Sequence, residues 1–326
     1  MNISEKTPLM HNSSSSTTEE MPQSGKSWID IIVIITCIVF TQAIAYFATP
    51  QKTLEERRYV LNILALYTMA VQWIAFIHAG GLFGNERTEK YYDLVGSLTF
   101  LTTLAISLYL INGKITARQI VLSTFVAIWS ARLGWFLFTR IHNNSGVDSR
   151  FTELKKSLTR FLMAWTMQGM WVFFTMIPVL ILNQYTKNIA FGIYDYIGMP
   201  IWIVGFLFEV IADYQKSAFR KIAENKHSFI HSGLWSISRH PNYFGEILMW
   251  IGISLSAFGG LGAKPRGAFA FISPVFVALL LIFVSGIPLL EQKADKKFAD
   301  NEAYQHYKEN TPVLVPFIGR KGDAMF

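Results

Sequence analysis

Long apolar stretches alternate with short polar segments along most of this chain. Eight stretches approach the roughly 20 apolar residues that a helix needs to cross a bilayer core. They are residues 28–48, 59–82, 94–111, 120–138, 161–182, 193–213, 243–261 and 269–290. Two of them are short and two carry ionisable residues, which widens the expected number of spans to seven to nine. The pattern predicts an all-α, polytopic membrane helical bundle of about eight transmembrane helices.

Composition supports a membrane protein and excludes several other classes. Hydrophobic residues make up 52% of the 326 residues and charged residues only 16%, against roughly 25% charged in soluble domains. This balance excludes a disordered chain and a collagen-like fibre. A disulfide scaffold is excluded as well, since the single cysteine, Cys37, has no partner in the chain. No cysteine cluster could hold zinc or an iron–sulfur centre, so no metal site is expected.

The first 27 residues differ from the rest. A Ser/Thr run at 13–18, followed by Glu19 and Glu20, is polar and has no periodicity, which predicts a disordered tail. The first apolar run begins at Trp28 and is too long for a signal peptide. The membrane domain is expected to span residues 28–326.

Basic residues indicate the orientation of the chain. The net charge is +7, and most of the 29 Lys and Arg lie in the tail, after helices two, four and six, and in the C-terminal segment. By the positive-inside rule, both termini are expected in the cytosol. Three basic segments, 139–160, 214–242 and 291–326, would share that face and could surround an anionic ligand. Their position between apolar stretches argues against nucleic acid as the partner.

A charged stripe follows the sixth apolar stretch. Glu209, Asp213, Lys216 and Arg220 have i, i+4, i+7, i+11 spacing, which places them on one face of a helix. The stripe could be a self-compensating set of i,i+4 pairs at the interface, or the wall of a polar cavity. Arg132, inside helix four, could snorkel or pair with a carboxylate.

The next segment, residues 233–246, reads GLWSISRHPNYFGE and favours the cavity. Pro241 suits the first turn of a helix, where its missing N–H costs nothing. The free N–H groups of that turn would form an anion site, and Arg239 and His240 lie just before it. Taken alone, His240 is more simply a structural helix-terminus histidine.

Three polar side chains follow at the start of that helix. Asn242 and Glu246 are one turn apart, with Tyr243 beside them. Tyr243 alone could be an interfacial anchor, but an amide, a phenol and a carboxylate together form a hydrogen-bonding cluster. A lipid-facing surface would not tolerate such a cluster.

These residues carry a resemblance to a known family. GLWSISRHPNYFGE, with the continuation ILMWIGISL, resembles the C-terminal signature of the membrane steroid 5-alpha-reductase superfamily, in its DUF1295 branch. Weaker matches occur in the same order at ARLGWFLFTRI (131–141), DSRF (148–151), FEVIADYQ (208–215) and PLLEQKADKKF. The resemblance covers roughly residues 60–317.

The resemblance implies a function and a cofactor. Reductases of this superfamily bind NADPH in a cytosol-facing cavity and reduce a carbon–carbon double bond in a steroid or another hydrophobic lipid. The expected cofactor-binding half is 120–317. Carried over residue by residue, the resemblance implies cofactor contacts for Asp213, Arg220, Arg239, His240, Asn242, Tyr243 and Glu246.

The substrate side of the resemblance is incomplete. Steroid-reducing members use a glutamate of the second helix, where this chain offers Gln72 and His78, so a steroid is not implied. The reaction needs a proton donor, and the candidate catalytic residues are Tyr243, Tyr92 and Asp93. The expected location is the endoplasmic reticulum or another endomembrane.

Two other functions stay open. Membrane methyltransferases of isoprenylcysteine and phospholipid also carry a histidine-proline-x-tyrosine element and bind S-adenosylmethionine there. Asparagine after Pro241 and an acid after Gly245 favour the reductase, because methyltransferases generally lack both. A membrane protein that binds a cofactor without turnover is the third alternative.

Overall fold

Helices make up nearly all of the regular structure in the computed structural model. It describes residues 27–49, 59–82, 86–111, 113–143, 148, 150–185 and 187–318, and these ranges contain no strand. The α-helices are α1 (Ser27–Ala48), α2 (Val60–His78), α3 (Tyr92–Tyr109), α4 (Ala117–Asn143), α5 (Leu158–Asn183), α6 (Ile193–Lys221), α7 (Pro241–Gly260), α8 (Ile272–Leu279), α9 (Ile287–Lys297) and α10 (Glu302–Asn310).

The prediction of an all-α polytopic membrane bundle is confirmed. Within the described ranges, seven segments are long and apolar enough to cross a membrane: α1 to α6 and the stretch Gly267–Lys297. The 20-residue α7 is not among them, although it forms where the signature predicts and begins at Pro241. The predicted tail lies outside the described residues, apart from Ser27, which begins α1.

The last predicted span is interrupted, which corrects the expectation of one helix over 269–290. A 3₁₀ turn (Pro265–Phe271) leads into α8, and a π turn (Leu280–Val284) follows it. The chain then bends at Ser285 and Gly286 before α9 begins. Pro288 lies in the first turn of α9, where the absence of its N–H is tolerated.

The fifth helix is the centre of the bundle. From Val172 to Asn183 every residue of α5 is buried, because helices α1, α2, α3, α7 and α8 pack around it. A helix that is apolar on all sides is stable only when it is enclosed in this way.

Glycines bring α6 and α7 into the most extensive helix contact of the described chain. A Cβ on Gly245 would lie 2.5 Å from the Gly205 carbonyl oxygen, and a Cβ on Gly252 would lie 2.4 Å from that of Gly198. Small residues at such a crossing let two backbones approach closely. The contact aligns the polar end of α6 with the first turns of α7.

Candidate functional site

The charged stripe of α6 is neutralised from another helix. Arg132 of α4 donates from Nη1 to Glu209 Oε1 at 2.5 Å and from Nη2 to Asp213 Oδ2. The two acids are therefore not held by pairs along α6 itself. The side chains of Glu209 and Asp213 are only 4% and 8% exposed, so the planar guanidinium fork is the group that makes their burial tolerable.

Aromatic side chains close the inner side of this ion triad. Trp129 of α4 donates from Nε1 to the second oxygen of Glu209 at 3.1 Å. Its ring packs edge-on against Trp250 of α7 at 5.1 Å and against Phe100 of α3 at 5.2 Å. The carboxylate therefore lies between a dry aromatic core and the polar end of the bundle.

The predicted signature residues of α7 face the same triad. Asn242 donates from Nδ2 to Asp213 Oδ1 at 3.3 Å, and its own Oδ1 is buried with no hydrogen-bond partner. Glu246 is half-buried and lies in the electrostatic field of Glu209, Asp213 and Arg132. Among the described residues, it makes no hydrogen bond or ion pair. An amide oxygen and a carboxylate are thus left with accepting capacity at one place.

Arg239 and His240 lie at the entrance to α7 and are held by α9. Arg239 Nη1 and His240 Nε2 contact the two oxygens of Glu291 at 2.5 and 2.8 Å. The His240 ring stacks on Tyr243, with centroids 5.5 Å apart and planes 7° apart. Burial lowers the pKa of His240 below its ordinary value, and Glu291 opposes that shift.

Positive charge concentrates beyond the ion triad. Lys216 and Arg220 of α6 lie near Arg140 at the end of α4, close enough for the three charges to repel one another. Lys216 lies over the Trp235 ring at 4.4 Å. Neither Lys216 nor Arg220 forms an ion pair with any carboxylate in the part of the chain that the structure describes. We call Arg140, Lys216 and Arg220 the cation cluster.

The three predicted proton donors lie in different surroundings. Tyr92 donates its hydroxyl to the Ala164 carbonyl at 2.8 Å. Asp93 accepts from Arg150 at 2.9 Å and from Arg140 at 3.5 Å. The Tyr243 hydroxyl makes no hydrogen bond within the described ranges. The geometry thus brings Tyr243 to the site and engages Tyr92 and Asp93 in contacts of their own, with Asp93 touching the cation cluster through Arg140.

Three residues of this region were not among the predicted site residues. The sequence indicates Arg132 only as a group that could snorkel or pair, and its carboxylate partners follow from the tertiary structure. Glu291 and Arg140 lie in segments that the sequence marks as basic or as part of the family resemblance. Nothing else in the sequence points to either residue.

Comparison with known proteins shows the family to which the chain belongs. A family model described as "Protein of unknown function (DUF1295)" matches residues 83–311. The chain belongs to the DUF1295 family. That match contains all the residues of the candidate site described above, and the predicted resemblance is confirmed.

Curated relatives of this DUF1295 protein include steroid enzymes. An uncharacterized protein of Schizosaccharomyces pombe is 22% identical over 71% of this chain and 75% of its own length. The 3-oxo-5-alpha-steroid 4-dehydrogenase 1 of Macaca fascicularis is 32% identical over 37% of this chain and 40% of its own. Human 3-oxo-5-alpha-steroid 4-dehydrogenase 2 is 29% identical over 37% and 42%. The chain thus spans about two fifths of the steroid enzymes that it matches. No solved structure matches.

Proposed function

We propose that this protein is a membrane oxidoreductase that uses NADPH to reduce a carbon–carbon double bond in a hydrophobic lipid. The observation that carries the proposal is that two groups of side chains lie at the same end of α6 and α7. One is an acid–amide cluster, and the other is the cation cluster. The acid–amide cluster consists of Glu209, Asp213, Asn242 and Glu246. Arg132 holds the acids, while Asn242 and Glu246 keep unused acceptors beside them. The similarity to 3-oxo-5-alpha-steroid 4-dehydrogenases adds support.

The residues present fit a dinucleotide phosphate. Lys216 and Arg220 are cations without a carboxylate partner in the described chain, and phosphate oxygens supply the acceptors that they lack. The free Asn242 Oδ1 and the Glu246 carboxylate are acceptors suited to an amide N–H, such as that of a nicotinamide carboxamide. The free N–H groups at the start of α7 add positive potential to the same region.

The chain's own groups supply orientation and a proton. NADPH provides the hydride when it is bound. Tyr243 is half-buried, and its hydroxyl makes no hydrogen bond in the described chain. This hydroxyl is the group proposed to donate a proton to the developing oxyanion of a conjugated carbonyl. The aromatic core around Trp129 excludes water from the inner side of the site.

The proposed substrate class is a hydrophobic lipid that enters from the bilayer. At α2, Gln72 donates from Nε2 to Thr99 Oγ1 at 2.8 Å, and its Oε1 is buried without a partner. An amide at this position cannot act as the carboxylic acid that steroid-reducing members place on their second helix. A 3-oxo steroid is therefore not part of the proposal.

Ligand-induced stabilisation of the detergent-solubilised protein tests the function. NADPH should raise the melting temperature, since a ligand that binds only the folded state stabilises it. Arg220→Ala should weaken NADPH binding by roughly 10- to 150-fold, because one charge-assisted contact contributes about 1.5–3 kcal/mol. Lys221→Ala is the matched control: it removes the same charge at the next exposed position of α6 and should leave affinity unchanged.

The same assay separates the alternatives. Stabilisation by S-adenosylmethionine and not by NADPH would favour a methyltransferase. NADPH binding with no turnover of any lipid with a conjugated carbonyl would favour a cofactor-binding protein without catalysis. Equal loss of affinity in Arg220→Ala and Lys221→Ala would show that only overall charge matters, and would remove Arg220 from the site.

A further inference from the structure

One carboxylate of α9 holds two residues of the predicted signature. Glu291 accepts from Arg239 Nη1 at 2.5 Å with one oxygen and contacts His240 Nε2 at 2.8 Å with the other. The side chains of Arg239 and His240 are 10% and 5% exposed, and that of Glu291 is 19% exposed. Hydrogen bonds to a charged partner are stronger than those between neutral groups, and these two are largely shielded from water.

The interruption of the helix after α8 places Glu291 beside Arg239 and His240. The π turn at Leu280–Val284 is followed by a bend at Ser285 and Gly286, and a Cβ on Gly286 would lie 2.4 Å from the Leu281 carbonyl oxygen. The new helix then starts at Ile287, one turn before Glu291. Single π turns in α-helices often mark functional sites, and here the turn redirects the chain toward the start of α7.

The C-terminal segment also holds the residues just before α7. The Arg239 backbone N–H donates to the Pro312 carbonyl at 2.8 Å, and Ser238 Oγ donates to the Leu314 carbonyl at 2.7 Å. Neither bond constrains the imidazole of His240. The orientation of that ring therefore depends on its contacts with Glu291 and Tyr243.

The contact with Glu291 decides which ring nitrogen carries the proton. An ionised carboxylate can only accept, so Nε2 of His240 is the donor. In the neutral imidazole, Nδ1 is then an acceptor, and it is buried without a hydrogen-bond partner. His240 is itself only 4% exposed, so this acceptor is a ready site for a donor that the chain does not supply.

We propose that Glu291 is a positioning residue of the cofactor site, which orients His240 so that Nδ1 accepts a hydrogen bond from a hydroxyl or amide of the ligand. The proposal rests on the proposed function, because the ligand is the NADPH placed beside Asn242 and Glu246. It separates the roles of the two neighbours: Arg239 balances the charge of Glu291, and His240 contacts the ligand.

This arrangement has a defined pH dependence. The charged and titratable groups facing His240 are Glu291 of α9, Lys216 of α6, the adjacent Arg239 and Tyr243 of α7. Protonation of the imidazole converts Nδ1 from an acceptor to a donor, so NADPH affinity should fall as the pH drops through the His240 pKa. We call this loss of affinity at low pH the acid limb. Removing the Glu291 charge disfavours the imidazolium and should move the acid limb to lower pH.

The test measures NADPH affinity against pH for four proteins in detergent. Glu291→Gln should bind NADPH about 10-fold or more weakly, with the acid limb shifted to lower pH. His240→Gln places an amide donor near the Nε2 position and removes the Nδ1 acceptor. It should fold like the wild type, bind weakly and lose the acid limb. Asp295→Asn, the matched control on α9, breaks an ion pair with Lys308 and should leave the affinity and the limb unchanged.

The outcomes distinguish this inference from the function on which it rests. If the wild type does not bind NADPH, the proposed function fails, and the role of Glu291 in a cofactor site fails with it. If the wild type binds while Glu291→Gln retains both the affinity and the acid limb, the positioning role alone is wrong. Two other results would show that Glu291 has a purely structural role. One is a lower melting temperature with unchanged NADPH affinity in both Glu291→Gln and Asp295→Asn. The other is full NADPH affinity in His240→Gln.

Discussion

Replacing Arg132 with methionine removes the one guanidinium that neutralises two buried acids. Methionine keeps a similar length and can fill the space over the Phe136 ring, where the guanidinium lies 5.4 Å from the ring centroid, so the change acts on charge more than on volume. Glu209 and Asp213 then lose their shared partner, although Trp129 and Asn242 still donate to them. The perturbation therefore leaves two uncompensated carboxylates at a depth where water cannot solvate them.

The magnitude follows from the burial of the three groups. Removing one partner of a buried ion pair costs about 3–5 kcal/mol. Arg132 is 20% exposed while the acids are 4% and 8% exposed, so the lower end, about 3 kcal/mol, applies. At about 2 °C per kcal/mol for a large chain, the melting temperature should fall by about 6 °C. Because Arg132 fixes the Asp213 carboxylate, which in turn orients Asn242, NADPH should no longer stabilise the variant.

The assay is thermal unfolding in detergent with and without NADPH. Arg118→Met is the matched control, since Arg118 and Asp195 form a pair that is 5% and 2% exposed and none of the site residues described above belongs to it. It should lower the melting temperature at least as much and keep the response to NADPH. Adding Glu209→Gln and Asp213→Asn to Arg132→Met should recover stability but not binding. An Arg132→Met protein with wild-type stability and NADPH response would refute the reasoning.

Three further results are expected. Glu246→Gln and Asn242→Ala should lower NADPH affinity with melting temperatures within a few degrees of the wild type, and intact affinity in both would remove them from the site. Gly245→Ala places a Cβ 2.5 Å from the backbone of α6 and should cost about 1–3 kcal/mol by thermal unfolding. Gly192→Ala, at the N-cap of α6 and with open space around it, should cost less, since only the capping preference is lost. If both termini are cytosolic, tags on them should be accessible in cells with a permeabilised plasma membrane and intact organelles. The sequon at Asn143 should stay unglycosylated, and a glycan there would contradict cytosolic termini.

The fold class and the location of the signature could be predicted from the sequence, because both depend on local properties. The length of an apolar run decides whether a helix can cross a bilayer, and the 3.6-residue period decides that Glu209 and Asp213 share a face. Pro241 marks the start of α7 for an equally local reason, the missing N–H in a first turn. The break at Ser285 and Gly286 was missed, because the apolar run continues through the π turn.

The partners of the site residues were decided by the tertiary structure. Helical spacing shows which face carries Glu209 and Asp213, but not that Arg132, 77 residues away from Glu209, neutralises them. That pairing depends on the register of α4 against α6, which the packing of the whole bundle sets. In the same way, Glu291 reaches His240 only because the chain bends after α8. Local sequence thus determined the helices and their polar faces, while interhelical packing determined which charges meet, because contacts between distant segments depend on how every intervening helix packs.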